Sequence, residues 1–166
     1  EDMTMTVDSL DPKEKRMILG VLDLDSTAVR EIMVPRVDLS AADIKSTIDE
    51  IRDLVIASGH SRILIYDGNI DSIMGTVHVR DLLKIFSEDS SSTCLKDLIR
   101  EPFFIPDSKR IDDLLDEMQA SRIHIAIVVD EYGGTAGIVT LEDLLEEIVG
   151  EIADEFTNDE PILKMV

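Results

Sequence analysis

At 166 residues and 18.5 kDa the chain has room for one domain or two small ones, and can bury roughly 70% of its unfolded surface without disulfide staples. Its 36 acidic side chains against 16 basic ones give a formal net charge of −20, a field that repels nucleic-acid backbones and anionic membrane surfaces. A small anionic ligand would need local basic groups or a bridging cation. The single cysteine, Cys94, excludes an internal disulfide and any multi-thiolate metal site, fits a reducing compartment, and reads as a small buried residue. No run approaches the ~18 apolar residues of a membrane span, the first residues lack a basic-then-apolar signal pattern, and 4% aromatics with no Trp leave no stacking platform for single strands.

In chain order, Pro12 to Leu22 reads as a lead-in helix with proline in its first turn. A short lead strand is expected near Val37. Ile44, Ile48, Ile51 and Val55 recur at helical spacing, and Gly59 ends that helix. Ile63 to Tyr66 is an apolar strand, Asp67-Gly68-Asn69 is turn chemistry, and Ile73 to Val77 is a second strand. A helix from Val79 to Phe86 follows, with Leu82, Leu83 and Phe86 expected inside. Ser87 to Thr93 is a polar linker. The series then recurs: a lead strand near Phe104, a helix on Ile111, Leu114, Leu115 and Met118, a strand from Ile125 to Val129, a turn at Asp130 to Gly134, and a strand from Thr135 to Val139. Leu141, Leu144, Leu145, Ile148 and Ile152 mark a last helix, and Asp154 to Pro161 is an acidic tail.

The recurrence is visible residue by residue. Gly75-Thr76-Val77-His78-Val79-Arg80-Asp81-Leu82-Leu83 aligns with Gly137-Ile138-Val139-Thr140-Leu141-Glu142-Asp143-Leu144-Leu145, and Arg30-Glu31-Ile32-Met33 aligns with Lys96-Asp97-Leu98-Ile99. The period is roughly sixty to sixty-five residues, longer than most solenoid repeats. Each copy is a β-α-β-β-α unit. A unit of that size is marginal alone, whereas two copies can bury their sheet faces against each other as a pseudo-twofold pair. The expected fold class is α+β.

These residues resemble a tandem pair of CBS domains. Arg30 to Arg36, Gly59-His60-Ser61-Arg62, Ser121-Arg122-Ile123-His124, and the runs Val129 to Thr135 and Gly150-Glu151-Ile152 resemble the CorC/HlyC family of magnesium/cobalt efflux-associated and hemolysin-like proteins, related to cyclin M transporters. The resemblance covers about residues 12 to 156 and divides the chain into a lead-in segment (1–28), a first repeat with its linker (29–90), a second repeat (91–153) and a tail (154–166) that is the possible start of a C-terminal CorC/HlyC domain. It implies a regulatory module that binds AMP, ADP or ATP, the last with magnesium, on the cytoplasmic face of the membrane. It also implies an upstream transmembrane domain in the parent chain, no binding of nucleic acid, and no catalysis. The alternative is a constitutive dimerisation scaffold with a vestigial nucleotide site.

Thr140 and Asp143 stand where a strand becomes a helix, whose free N–H groups and dipole favour phosphate. One reading is a capping pair. The other, implied by the resemblance, puts the Thr140 hydroxyl on a phosphate and the Asp143 carboxylate on a ribose diol; a capping hydroxyl can still donate its proton. Copy one keeps Asp81 but has His78 for the threonine, so one occupied site per chain is expected, with His78 either a cap or a ligand contact. Arg36, Arg122 and His124 are the candidate phosphate partners, or else they pair with surface carboxylates. Pro35 stiffens the chain beside the adenine, and Val34, Val37, Ile32, Ile125 and Ala126 either line its slot or are plain core. Glu142 is a weak candidate for nucleotide-bound magnesium against the reading of a solvated helix face. No nucleophile elbow, P-loop or metal-ligand pair occurs. The apolar stripe of Leu141, Leu144, Leu145, Ile148, Val149 and Ile152 is wider than one sheet face needs and implies a homodimer through these helices.

Overall fold

The computed structural model describes residues 9–88 and 94–150. The Ser-rich linker from residue 89, Ile152 and the acidic tail lie outside the described residues. The chain has five helices, α1 (Pro12–Asp23), α2 (Ile48–Ser58), α3 (Val79–Glu88), α4 (Ile111–Ser121) and α5 (Leu141–Val149), among its described residues. Its seven strands there are β1 (Val34–Pro35), β2 (Ala41–Asp43), β3 (Arg62–Asp67), β4 (Asn69–His78), β5 (Phe104–Pro106), β6 (Ile125–Val129) and β7 (Thr135–Thr140).

These elements gather into two compact units, and each sequence repeat contributes to both. The first unit takes the described residues up to Met33, Ser108–Ile125, and those from Val139 on. It is helical. Asp11 caps α1 by accepting from the Glu14 N–H at 2.8 Å, with Pro12 at the first helical position, where a missing N–H costs nothing. Leu24, Val29, Ile111, Leu114, Met118 and Leu144 are buried in this unit. The entry to α4 is tied to the segment after α1: Val29 N–H donates to Lys109 O (2.8 Å) and Ile111 N–H to Thr27 O (3.0 Å).

Helices α1 and α5 pack closely, and Gly20 sets how closely. A Cβ there would stand 2.8 Å from Ile148 O. The stripe on α5 is therefore partly covered within the chain: Leu144 is buried and Ile148 lies against α1, while Leu145 stays exposed. The uncovered apolar surface is instead on α1, where Met17, Ile18, Leu19, Val21 and Leu22 are all exposed.

The second unit, Val34–Asp107 with Ala126–Ile138, holds the strand pairings. One sheet has the order β2-β3-β4, with β2 parallel and β4 antiparallel to β3. The other has the order β1-β7-β6-β5. A core of Ile51, Ile63, Ile65, Val77, Leu82 and Leu95 lies on one side of the first sheet. Leu64 and Ile73 face the other way, onto Ile127 of the second sheet. The alternation along β3 follows from the period of two in a strand. Helix α2 begins with a reciprocal box in which Glu50 N–H donates to Thr47 Oγ1 (3.1 Å) and Thr47 N–H to Glu50 Oε1 (3.2 Å). It ends on Gly59 in the left-handed region, φ 71°, as its sequence position predicts.

Three expectations need correction. Val37 is in a 3-10 turn (Arg36–Asp38) and is 89% exposed; the short strands flank it, because Pro35 has no N–H to continue the ladder. In α3 only Leu82 is buried. Val79, Leu82 and Ile85, three apart, take the inner face, which turns Leu83 and Phe86 outward, with Phe86 under the Arg52 guanidinium at 5.6 Å. Cys94 is exposed, not buried. It caps a 3-10 turn, with its N–H and its thiol both 3.3 Å from Asp97 Oδ2.

Candidate functional site

Thr140 ends β7 with extended backbone (φ −106°, ψ 161°) and becomes the cap of α5. Asp143 N–H donates to its Oγ1 at 3.1 Å, and Thr140 N–H donates to Asp143 Oδ2 at 2.9 Å. Both sequence readings thus start from one arrangement: a closed capping box whose hydroxyl proton is still free to donate. Asp143 also lines a cavity of about 510 Å³ in the first unit, together with Thr27, Glu31, Ile32, Glu146, Glu147 and Gly150. Four of these seven residues carry carboxylates, and Ile32 supplies the apolar wall. Glu31 is already engaged, since its Oε2 accepts from Ala28 N–H at 2.7 Å. An acceptor-rich cavity suits hydroxyl and amino donors and repels bare phosphate.

The other candidates in this unit stand nearby in sequence. Arg122 closes α4 in the left-handed conformation, φ 55°, the one non-glycine residue with positive φ among the described residues. It is exposed and makes no ion pair with another described residue. His124 is exposed, and its carbonyl accepts from Leu141 N–H at 2.9 Å, tying the strand β6 to the start of α5. Glu142 is exposed on α5, and among the described residues no group of three or more acidic, histidine or cysteine side chains is placed to hold a metal ion.

In the second unit, β1 pairs antiparallel with β7, Val34 opposite Ile138 and Pro35 opposite Gly137. Ala126 is fully buried in β6, as core. Arg36 forks onto Asp71: Nη1 bonds Oδ1, Nη2 lies 3.4 Å from Oδ2, and Nη1 also donates to Thr135 O at 3.3 Å. Asp71 in turn accepts from Thr135 N–H at 3.0 Å. The side-chain bond from Arg36, then the Thr135 N–H, holds the Asp71 carboxyl below the usual carboxylate range. Sequence reasoning missed Asp71: a lone acid in an exposed strand segment carries no signal until the fold brings Arg36 to it.

His78 ends β4, and its Nδ1 accepts from Arg80 N–H at 2.9 Å, so the ring caps α3. Burial, then the charges of Arg62, Arg100 and Arg80, lower its pKa, with Asp81 opposing. Asp81, the counterpart of Asp143, is bound by Arg100, which lowers its pKa in turn. Two pH windows follow. A histidine whose folded pKa is lowered keeps its full contribution above the unfolded value of about 6.5 and loses it as pH falls through the lower folded value. Asp71 and Asp81 contribute fully above about 3.9 and lose that contribution only as pH falls through their depressed values. Stability measured by denaturant is therefore expected to fall in two acid steps, and His78→Gln should abolish the one just below pH 6.5. A single step, unchanged in that variant, would contradict this.

Against known proteins, the model of the CBS domain matches residues 29–88 and again 95–150. The chain belongs to the CBS-domain family and carries two copies. It is 39% identical over 155 residues to the magnesium and cobalt efflux protein CorC of Escherichia coli K12, covering 93% of this chain and 53% of that one. It is 43% identical over 143 residues to a hemolysin C homolog of Rickettsia rickettsii, covering 86% and 48%. The chain thus spans about half the length of these relatives. Among solved structures it resembles the CBS domain of the bacterial CNNM/CorC family Mg²⁺ transporter in complex with ATP, with a TM-score of 0.79, 41% identity, and 84% and 99% coverage. It also resembles a CBS-domain pair with bound AMP from Klebsiella pneumoniae, with a TM-score of 0.68, 32% identity, and 75% and 99% coverage.

Proposed function

We propose that this CBS pair is an adenine-nucleotide-binding regulatory module of a CorC-type, ion-transport-associated membrane protein. The observation that carries the reading is Asp143, at once the partner in the Thr140 cap and a wall of the acidic cavity at the start of α5. Solved relatives that hold ATP or AMP support it. Asp143 accepts both hydroxyls of the ribose. Thr140 donates its free proton to the α-phosphate, and the N-terminus of α5 supplies the positive dipole end. Arg122, exposed and without an ion pair to another described residue, is the candidate cation of the same unit. Arg36, in the second unit, is engaged by Asp71.

The role is control, with no bond made or broken by the module. Nucleotide binding biases α5, and α5 bears on α1 through the close contact of Ile148 with Gly20. Helix α1 thereby passes the change to whatever precedes it in the parent protein, whose ion and membrane domain belong to this same proposal. Such coupling works only if the ligand prefers one arrangement of α1 over another. The exposed apolar residues of α1 favour a second reading, a scaffold that assembles regardless of ligand, either as a homodimer or on the parent's other domains.

Calorimetric titration with AMP, ADP and ATP, each with magnesium and with chelator, separates the two. One nucleotide per chain is expected. ATP should bind only with magnesium, because the cation masks phosphate charge beside the cavity's carboxylates, while AMP should change little. Equal ATP binding in chelator would remove the metal from the site. No binding of any nucleotide would leave the scaffold.

A further inference from the structure

The two copies are not equivalent around their aspartates, and one of the differences reaches the carboxylate itself. In the repeat alignment Arg100 falls opposite Val34, directly after the matched segments Lys96–Ile99 and Arg30–Met33. Strand pairing keeps that equivalence: Val34 partners Ile138 of β7, and Arg100 partners Thr76 of β4, its counterpart. A valine thus pairs with Ile138, five residues before Asp143, and an arginine pairs with Thr76, five residues before Asp81.

Arg100 is firmly anchored. Its N–H donates to Thr76 O at 2.8 Å, and Thr76 N–H donates back to Arg100 O at 3.1 Å. Gly75 permits this approach, since a Cβ there would stand 2.2 Å from Arg100 O. From this anchor the guanidinium reaches Asp81, with Nε at 3.1 Å from Oδ2 and Nη2 at 3.3 Å from Oδ1. The Asp81 side chain is only 19% exposed, so the guanidinium covers the face a ligand would use. With one N–H on each oxygen, the guanidinium occupies the bridging position that a ribose cis-diol would take on this carboxylate. Among the described residues Asp143 has no such partner: it accepts one backbone N–H and lines its cavity.

We propose that Arg100 locks the copy-one counterpart of the nucleotide site, so that the chain takes one adenine nucleotide and takes it on copy two. This rests on the nucleotide reading above. His78 is the lesser obstacle, because its ring is turned to the backbone as a cap. With Arg100 gone, Asp81 loses the cation bonded to both its oxygens, and the charges of Arg62 and Arg80 still act on the neighbouring His78.

The test is AMP stoichiometry by calorimetry, on the whole chain. Wild type and His78→Thr are each expected to bind one AMP. His78→Thr/Arg100→Val, which puts beside Asp81 the residue types found at the matching positions for Asp143, is expected to bind two, and adding Asp81→Ala should return it to one. If the double variant unfolds cooperatively yet binds one, the lock is overturned. Two sites in His78→Thr alone would overturn it too, by making the imidazole the barrier. If the valine variant does not fold, His78→Thr/Arg100→Gln, which keeps side-chain bulk on the same backbone bridge, carries the same expectation. A wild type that binds no AMP defeats the nucleotide reading and this inference together; a wild type that binds one while the double variant also binds one defeats only the inference.

Discussion

Asp143→Ala is expected to weaken adenine-nucleotide binding by roughly 2–4 kcal/mol, about 30- to 700-fold, because two charge-assisted hydrogen bonds to the ribose are lost. The same substitution opens the cap, since Thr140 N–H loses its acceptor at 2.9 Å. Loss of a cap costs about 1 kcal/mol of stability. Affinity and folding are therefore entangled in the alanine variant, and Asp143→Asn separates them. The amide oxygen still accepts from Thr140 N–H, but the group can no longer accept both hydroxyls as an anion. Asp143→Asn should melt within a few degrees of wild type and bind nucleotide at least tenfold more weakly. Thr140→Val is the complementary probe, losing the cap and the phosphate donor while leaving the ribose contact. If Asp143→Asn binds AMP as tightly as wild type, the ribose is elsewhere and the cavity beside α5 is not its site.

Gly75→Ala should be the most destabilising small substitution in the second unit. Gly75 has φ 153°, and a Cβ would meet Arg100 O at 2.2 Å and the Ile99 Cγ2 at 2.5 Å. Neither can yield freely: Arg100 O is held by Thr76 N–H, and Ile99 packs on the core of Ile63, Ile65 and Val77. The strand must part from the Arg100 segment, which forfeits two backbone bonds and opens the core, for a loss of about 3 kcal/mol or more. The site lies beside an irregularity in the β3–β4 register, where Ile65 faces Gly75 and Tyr66 faces Ile73. Such bulges re-aim a strand and are intolerant of added bulk. Gly68→Ala is the control. Its φ is 84°, but nothing lies within 4 Å of its Cβ position, so it meets only the backbone preference, about 1 kcal/mol. Urea unfolding of the two variants decides the matter. A Gly75→Ala protein as stable as Gly68→Ala would mean that Arg100 is not held where the structure puts it. The lock on Asp81 would then lose its anchor.

The repeat and the elements of each copy were legible in the residues because their signals are local. Gly59 as a helix end, Pro12 at a helix start and the apolar run of β3 all depend on neighbours a few positions away. The Thr140–Asp143 pair was legible for the same reason, as both a cap and a candidate ligand pair. Which residues face out in α3, and the exposure of Cys94, depend on what lies alongside them, and composition carries no record of that. The α5 stripe reads in sequence as surplus apolar area. Only the approach of α1 at Gly20 assigns part of it a partner inside the chain and leaves the exposed apolar face on α1 instead.

Ion pairs between distant positions were the least legible. Arg36 reads equally as a phosphate ligand or a partner of surface carboxylates until Asp71, 35 residues on, is placed against it. Asp81 reads only as an aspartate retained beside His78 until Arg100, 19 residues on, is bonded to both its oxygens. The residue types by themselves determined two nearly equal halves with one aspartate each at a helix start. The tertiary structure decided that these aspartates differ, because a guanidinium reaches as far as strand pairing carries its backbone, and pairing partners are set by the whole fold.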